Sequence, residues 1–213
     1  MRSSKAAFRL GLVTFSLTLA LVVDGVGADW RRPILRVEED WVLVLNVPGE
    51  SKHSPQFHTI MSPLRNLDSM YFQVNWNYRE NPDYEPGGLE IACWEGDQLR
   101  THQSMREEQL STYAETITWT QRLVTDGELI SFQIVNGQST TWGPFGGMTL
   151  DRAYPMRDLE GYRPSVSVNN SLITYGSNRV NLLKISEVRY YDGAGRLVRR
   201  DTRPRVIYQA PEE

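Results

Sequence analysis

Cysteine is almost missing from this chain of 213 residues: Cys93 stands alone. That excludes an intrachain disulfide, and with it the bridged scaffold on which many small secreted animal domains depend. No cysteine follows the N-terminal apolar run, so a lipoprotein anchor is excluded there too. Long apolar runs are equally scarce. The one present, Leu10–Val23, has about 14 residues, short of the roughly 20 that a spanning helix needs. Histidine occurs three times, at His53, His58 and His102, without the HxxxH or HExxH spacing of a helical metal site. No GxSxG elbow and no DxDxDG calcium loop is present, and no cofactor is expected. Positive charge is also in deficit, with a formal charge of −3. Nucleic acid and anionic membrane, which need clustered cations, are therefore not expected partners. Arg196, Arg199, Arg200, Arg203 and Arg205 form the densest basic stretch, read as a solvated strand end.

The N-terminus itself is informative. A basic start with Arg2, Lys5 and Arg9, a short apolar middle and small residues before Asp29 make residues 1–28 a secretory signal, cut after Ala28. Loss of those three cations and Asp24 takes the formal charge from −3 to −5. The expected product is secreted or periplasmic, with no stable membrane insertion, and a bridge-free exported chain fits a bacterial origin. Its organisation reads as a lead at 29–40, one domain at 41–208 and a tail at 209–213. An apolar content of 40% is enough for one substantial core. Six tryptophans and ten tyrosines favour strands.

The clearest local signal is Thr116–Gly143. Two alternating runs, Glu115–Val124 and Glu128–Asn136, are split by Asp126-Gly127, and Asn136-Gly137 closes the second. Both dipeptides predict tight turns with positive φ. Further strands are expected at Trp41–Asn46, Gln56–Ser62, Ser69–Tyr78, Leu89–Glu95, Ser165–Val168, Leu172–Tyr175, Val180–Tyr191, Arg196–Arg200 and Arg205–Tyr208. Thr101–Tyr113 breaks the alternation and predicts a short helix or irregular loop, and 148–164 predicts loop. About ten strands with little helix predict an all-β, antiparallel two-sheet sandwich of jelly-roll type.

Alternation sorts the strands into faces. Ile117, Trp119, Ile130, Phe132 and Ile134 belong inside, leaving Thr116, Thr118, Thr120, Ser131 and Gln133 outside. Ser69–Tyr78 adds Tyr71, Gln73, Asn75 and Asn77 outside, and the next strand adds Glu90 and Trp94. Hydroxyls, amides and rings dominate, where a solvated face carries more lysine and glutamate. Sugars offer hydroxyls that pair with amides and carboxylates, and apolar ring faces that stack on aromatic side chains. Tyr71, Gln73, Asn75, Asn77, Glu90 and Trp94 are accordingly the candidate ligand-binding residues, for a polysaccharide or glycan. The plainer reading is that Thr, Gln and Tyr favour strands for packing. A glycine-rich aromatic loop, Trp142–Gly147, is a second candidate for a rim, or else an edge plug. Glu90, Glu95 and His58 are the residues an enzyme reading would use, through two carboxylates about 5 Å apart or a histidine beside an arginine and a tyrosine.

The run Gly127–Ser139 and the later run Leu182–Tyr190 are similar to the "G-x-L-x-F-x-V-x-N-G" hairpin and closing "L-x-I-x-x-V" strand of the concanavalin A-like lectin/glucanase superfamily, laminin-G modules included. The resemblance implies a jelly roll over Trp41–Tyr208. It implies no catalytic residue. The glucanase E-x-D-x-E strand is missing, since Glu38-Glu39-Asp40 and Glu95-Gly96-Asp97 each supply two acids of three. Of the three strands of a jelly-roll alginate lyase, Gln56-Phe57-His58 is similar to one. A carbohydrate-binding or envelope accessory role without catalysis is the leading expectation, a jelly-roll hydrolase or lyase the second, and a structural or protein-interaction module of the envelope the third.

Overall fold

Period-two patterning needs two apolar sheet faces turned toward each other, and the chain supplies them. The computed structural model describes residues 32–46, 55–78, 88–105, 114–141 and 143–211. The expected signal segment, the Pro48-Gly49 and Arg79–Pro86 loops and Trp142 lie outside these residues. The chain starts with β1 (Arg36–Leu45), then lays β2 (Gln56–Met61), β3 (Tyr71–Tyr78), β4 (Gly88–Glu95) and β5 (Gln98–Met105). It returns through β6 (Glu115–Thr125), β7 (Gly127–Ser139), β8 (Gly143–Phe145) and β9 (Thr149–Met156). A short helix α1 (Pro164–Asn170) leads to β10 (Leu172–Tyr175), and β11 (Val180–Tyr191), β12 (Leu197–Asp201) and β13 (Arg205–Gln209) finish the fold.

These strands form an eight-stranded sheet in the order β12-β11-β1-β6-β7-β8, with β13 also on β11 and β9 on β7, and a five-stranded sheet in the order β10-β2-β3-β4-β5. Every pairing is antiparallel. The protein is thus an all-β two-sheet sandwich. Its core joins Phe72 of one sheet to Phe132 of the other, stacked at 5.1 Å, and Trp76 to Trp119 at 4.7 Å. Trp41 stacks on Trp119 at 5.8 Å. Emptying one of these ring sites would cost about 3–5 kcal/mol.

The expected inward residues Ile117, Trp119, Ile130, Phe132 and Ile134 are all buried. The two turn signals behave differently. Asp126 accepts the backbone N–H groups of Glu128 (2.9 Å) and Leu129 (2.8 Å) through its side chain, and Gly127 takes φ 104°. Asp126 itself is not left-handed, so the turn is not the doubly left-handed type I′. Asn136-Gly137 is no turn: β7 continues to Ser139, and the register steps from Thr118–Gln138 to Thr120–Val135. Asn136, at φ 52°, opens a bulge that sets two residues against Trp119. At Gly137 a Cβ would lie 2.6 Å from the Phe145 carbonyl oxygen, so only glycine fits.

Four further expectations change. β1 begins at Arg36 rather than Trp41. Of the expected helix or loop at Thr101–Tyr113, residues 101–105 belong to strand β5 and 106–113 lie outside the described residues; an edge strand held by backbone bonds to β4 has no need of an apolar face. β9 fills part of the expected loop, and Pro155 is tolerated because β9 pairs only with β7. The expected strand at Ser165–Val168 is helical: Pro164 sits at the first helical turn, and Val166 and Ser167 are buried side by side, which alternation forbids.

Candidate functional site

On β3 the apolar residues Phe72, Val74 and Trp76 point into the core, so Tyr71, Gln73 and Asn75 face outward from the five-stranded sheet. On β4, Leu89, Ile91 and Cys93 point inward and Glu90, Ala92 and Trp94 outward. Antiparallel register sets Tyr71 opposite Trp94, Gln73 opposite Ala92 and Asn75 opposite Glu90. Flanking strands extend the last rung, with His58 beside Asn75 and Ser104 beside Glu90.

Side chains then organise in one direction. Gln73 Nε2 donates to Asn75 Oδ1, and Asn75 Nδ2 donates to Glu90 Oε1 at 2.8 Å. Ser104 Oγ donates to Glu90 Oε2 at 3.4 Å. The chain of donors converges on one carboxylate. At the far end the Tyr71 and Trp94 rings lie parallel, within 6°, with centroids 6.3 Å apart. A groove of about 390 Å³ runs over this surface, lined by Gln56, His58, Gln73, Asn75, Glu90, Trp94, Leu99 and Thr174 among others.

Five of the six candidate residues, Tyr71, Gln73, Asn75, Glu90 and Trp94, are therefore gathered on one face. Asn77 borders the groove, but its backbone turns left-handed at φ 54°. Its Nδ2 donates to the Pro55 carbonyl at 2.6 Å, which commits the side chain to the backbone at the mouth of β2. Gln56, Leu99 and Thr174 were not expected in the lining. The alternation of Gln56 with His58 on β2 was the available signal; nothing in the sequence places β10 or β5 beside them.

The outward hairpin residues do not join this face. Thr116, Thr118, Thr120, Ser131 and Gln133 lie on β6 and β7, in the other sheet, on the opposite side of the sandwich. That outer surface is an ion-pair lattice. Glu38 meets Arg122 at 2.8 Å, Arg189 at 3.2 Å and Arg36 at 3.5 Å. Asp40 takes both guanidinium nitrogens of Arg189, at 2.6 and 2.7 Å, and the Thr120 hydroxyl at 2.7 Å. A shallow hollow of about 330 Å³ beside Asp40, Asn136 and Arg189 is already saturated by these bonds. Of the basic stretch, Arg196 pairs with Asp192, Arg200 with Glu187, and Arg203 and Arg205 with Asp201.

The residues an enzyme would use are dispersed. Glu95 is held outside the groove lining by Arg152 at 2.7 Å and Arg100 at 2.9 Å. Among the described lining residues Glu90 is the one carboxylate, and no arginine is present. His58 donates to the Asn170 backbone, and burial lowers its pKa, so the ring is neutral near pH 7. No group of three His, Cys, Asp or Glu poised for a metal occurs among the described residues. Phe145, from the glycine-rich aromatic loop, meets Trp76 edge-on at 5.6 Å and plugs the sandwich rather than forming a rim. The Cys93 thiol is buried and pushed up to about 11, chiefly by desolvation.

Glu39 is fully buried between the sheets, where it accepts the Tyr162 hydroxyl and the Trp41 indole N–H. Desolvation raises its pKa to about 7, against the lowering effect of those bonds and of Arg205.

Comparison with protein-family models, curated proteins and solved structures finds no match to this chain.

Proposed function

We propose that the protein is an exported, non-enzymatic sandwich of concanavalin A-like type that binds carbohydrate through the groove on its five-stranded sheet. The observation that carries the reading is the sharing, on one sheet face, of a parallel Tyr71–Trp94 ring pair and the Gln73–Asn75–Glu90 hydrogen-bonded chain, of which Trp94, Gln73, Asn75 and Glu90 line the groove. A pyranose has the same two chemistries, an apolar C–H face and a rim of hydroxyls. Open grooves with a few convergent polar groups are the common form of a ligand site. Export places such a groove where envelope or extracellular polysaccharide is encountered. Hydrolase or lyase chemistry would call for a second acid, or an arginine and a tyrosine beside His58, and the described lining supplies neither arrangement.

A glycan array probed with the purified protein tests the reading. Binding to at least one polysaccharide class, weakened by Trp94→Ala, supports it. A blank array, or binding indifferent to Trp94→Ala, removes it.

A further inference from the structure

Glu90 differs in its company from the arginine-paired carboxylates of the sheets, and shares with buried Glu39 a set of neutral donors. Glu38, Asp40, Glu95, Glu187 and Asp201 each face at least one arginine within 3.6 Å. Glu90 is 5% exposed, yet it receives only an amide and a hydroxyl, and no cation reaches it among the described residues. A carboxylate offers about four lone-pair sites, and these two bonds use half of them. Burying a charge with no opposite partner is costly, and a cation that enters such a site recovers that cost.

The rest of the groove has the same polarity. Gln73 donates one amide N–H to Asn75, and its Oε1 receives no hydrogen bond among the described residues. The polar end therefore presents the unfilled oxygen lone pairs of Glu90 and Gln73, which a guest rich in donors satisfies. The apolar end lies four residues away along β4. At 3.3 Å per residue, Glu90 and Trp94 are separated by about 13 Å, with the fully buried Ala92 between them as a low floor. That length holds two to three sugar units, one over the Trp94 ring and another at Glu90.

We infer that the groove selects an oligosaccharide bearing a protonated amine, with the ammonium group seated on Glu90 and a neighbouring ring on Trp94. This rests on the carbohydrate-binding reading above and specifies its ligand class. An N-acetylated sugar brings an amide in place of the ammonium and forgoes the charge pairing. An acidic sugar meets Glu90 with like charge.

Titration calorimetry with three oligomers of equal length decides the matter: glucosamine, N-acetylglucosamine and glucose oligomers, at a mildly acidic pH where the amine is charged. The glucosamine oligomer is expected to bind about tenfold tighter than either neutral one. Glu90→Gln keeps the shape and one acceptor oxygen for Asn75, while its NH2 donates to the Ser104 hydroxyl instead of accepting from it, so it removes the charge and should bring that preference to within about twofold. Thermal melting of the variant confirms that it folds. Equal or tighter binding of the neutral oligomers, or a preference that survives Glu90→Gln, overturns the inference and leaves carbohydrate binding standing. Failure of all three oligomers, with a blank glycan array, overturns both.

Discussion

The two outer faces of the sandwich are built from the same period-two strands and carry opposite solutions to polarity. On the eight-stranded face, every acid named above is matched by arginine: Glu38 by three, Asp40 by a bidentate pair, Glu187 by Arg200. On that surface the acids already have cationic partners. On the five-stranded face the polar side chains bond to one another in a single direction and end on an acid that no cation reaches among the described residues. The difference teaches that ligand capacity is read from what a polar group leaves unsatisfied, not from how many polar groups a face displays.

The largest expected effect comes from the layer between the faces, where Glu39, like Glu90, is bonded only by neutral donors among the described residues. Its folded pKa of about 7 lies above its ordinary 4.5. Between those values the native state keeps a proton that the unfolded chain has released, so its contribution is full below 4.5 and is lost as pH rises through 7. Denaturant unfolding as a function of pH should show stability falling by about 3 kcal/mol across that window. Glu39→Gln should flatten the slope. An unchanged slope in the variant would assign it to another group.

Next is the groove itself: Trp94→Ala should weaken oligosaccharide binding about tenfold or more, as stacking platforms do when removed. Thr118→Ala, on the opposite face, should leave affinity untouched. Equal losses from the two would erase the distinction between the faces. Arg189→Ala sharpens the comparison from the other side. It leaves Glu38 and Asp40 short of their shared cation and should lower stability by about 1 kcal/mol in chemical denaturation, with glycan affinity unchanged. Smallest of all is Arg200→Ala, whose ion pair with Glu187 is more than half exposed on the arginine side. No measurable change in unfolding midpoint is expected, since such pairs contribute little.

Much of this was legible from alternation alone. The inward set of Ile117, Trp119, Ile130, Phe132 and Ile134 and the outward set of Tyr71, Gln73, Asn75, Glu90 and Trp94 follow from side chains alternating across a pleated strand. β3 and β4 then met as consecutive strands do. What stayed hidden depends on partners distant in sequence. The hairpin's threonines and glutamines fell in the other sheet because strand order is set by packing across the whole chain. β5 escaped notice because an edge strand can be polar on both sides, and Asn136-Gly137 misled because a left-handed residue suits a bulge as well as a turn. Glu39 fell in the lead at 29–40, outside the expected domain. Alternation from Trp41 and Leu43 points it inward, but a buried acid becomes credible only once Tyr162 and Trp41 are seen to bond it.

The solitary Cys93 has a practical consequence. Its thiol is turned into the core behind the groove, fully buried and pushed up to about 11, which leaves the native chain chemically quiet toward thiol reagents. A cysteine introduced at exposed Leu99, on the groove's own lip, would then be the single reactive handle. A fluorophore attached there would report ligand arrival directly, with no background cysteine to remove first.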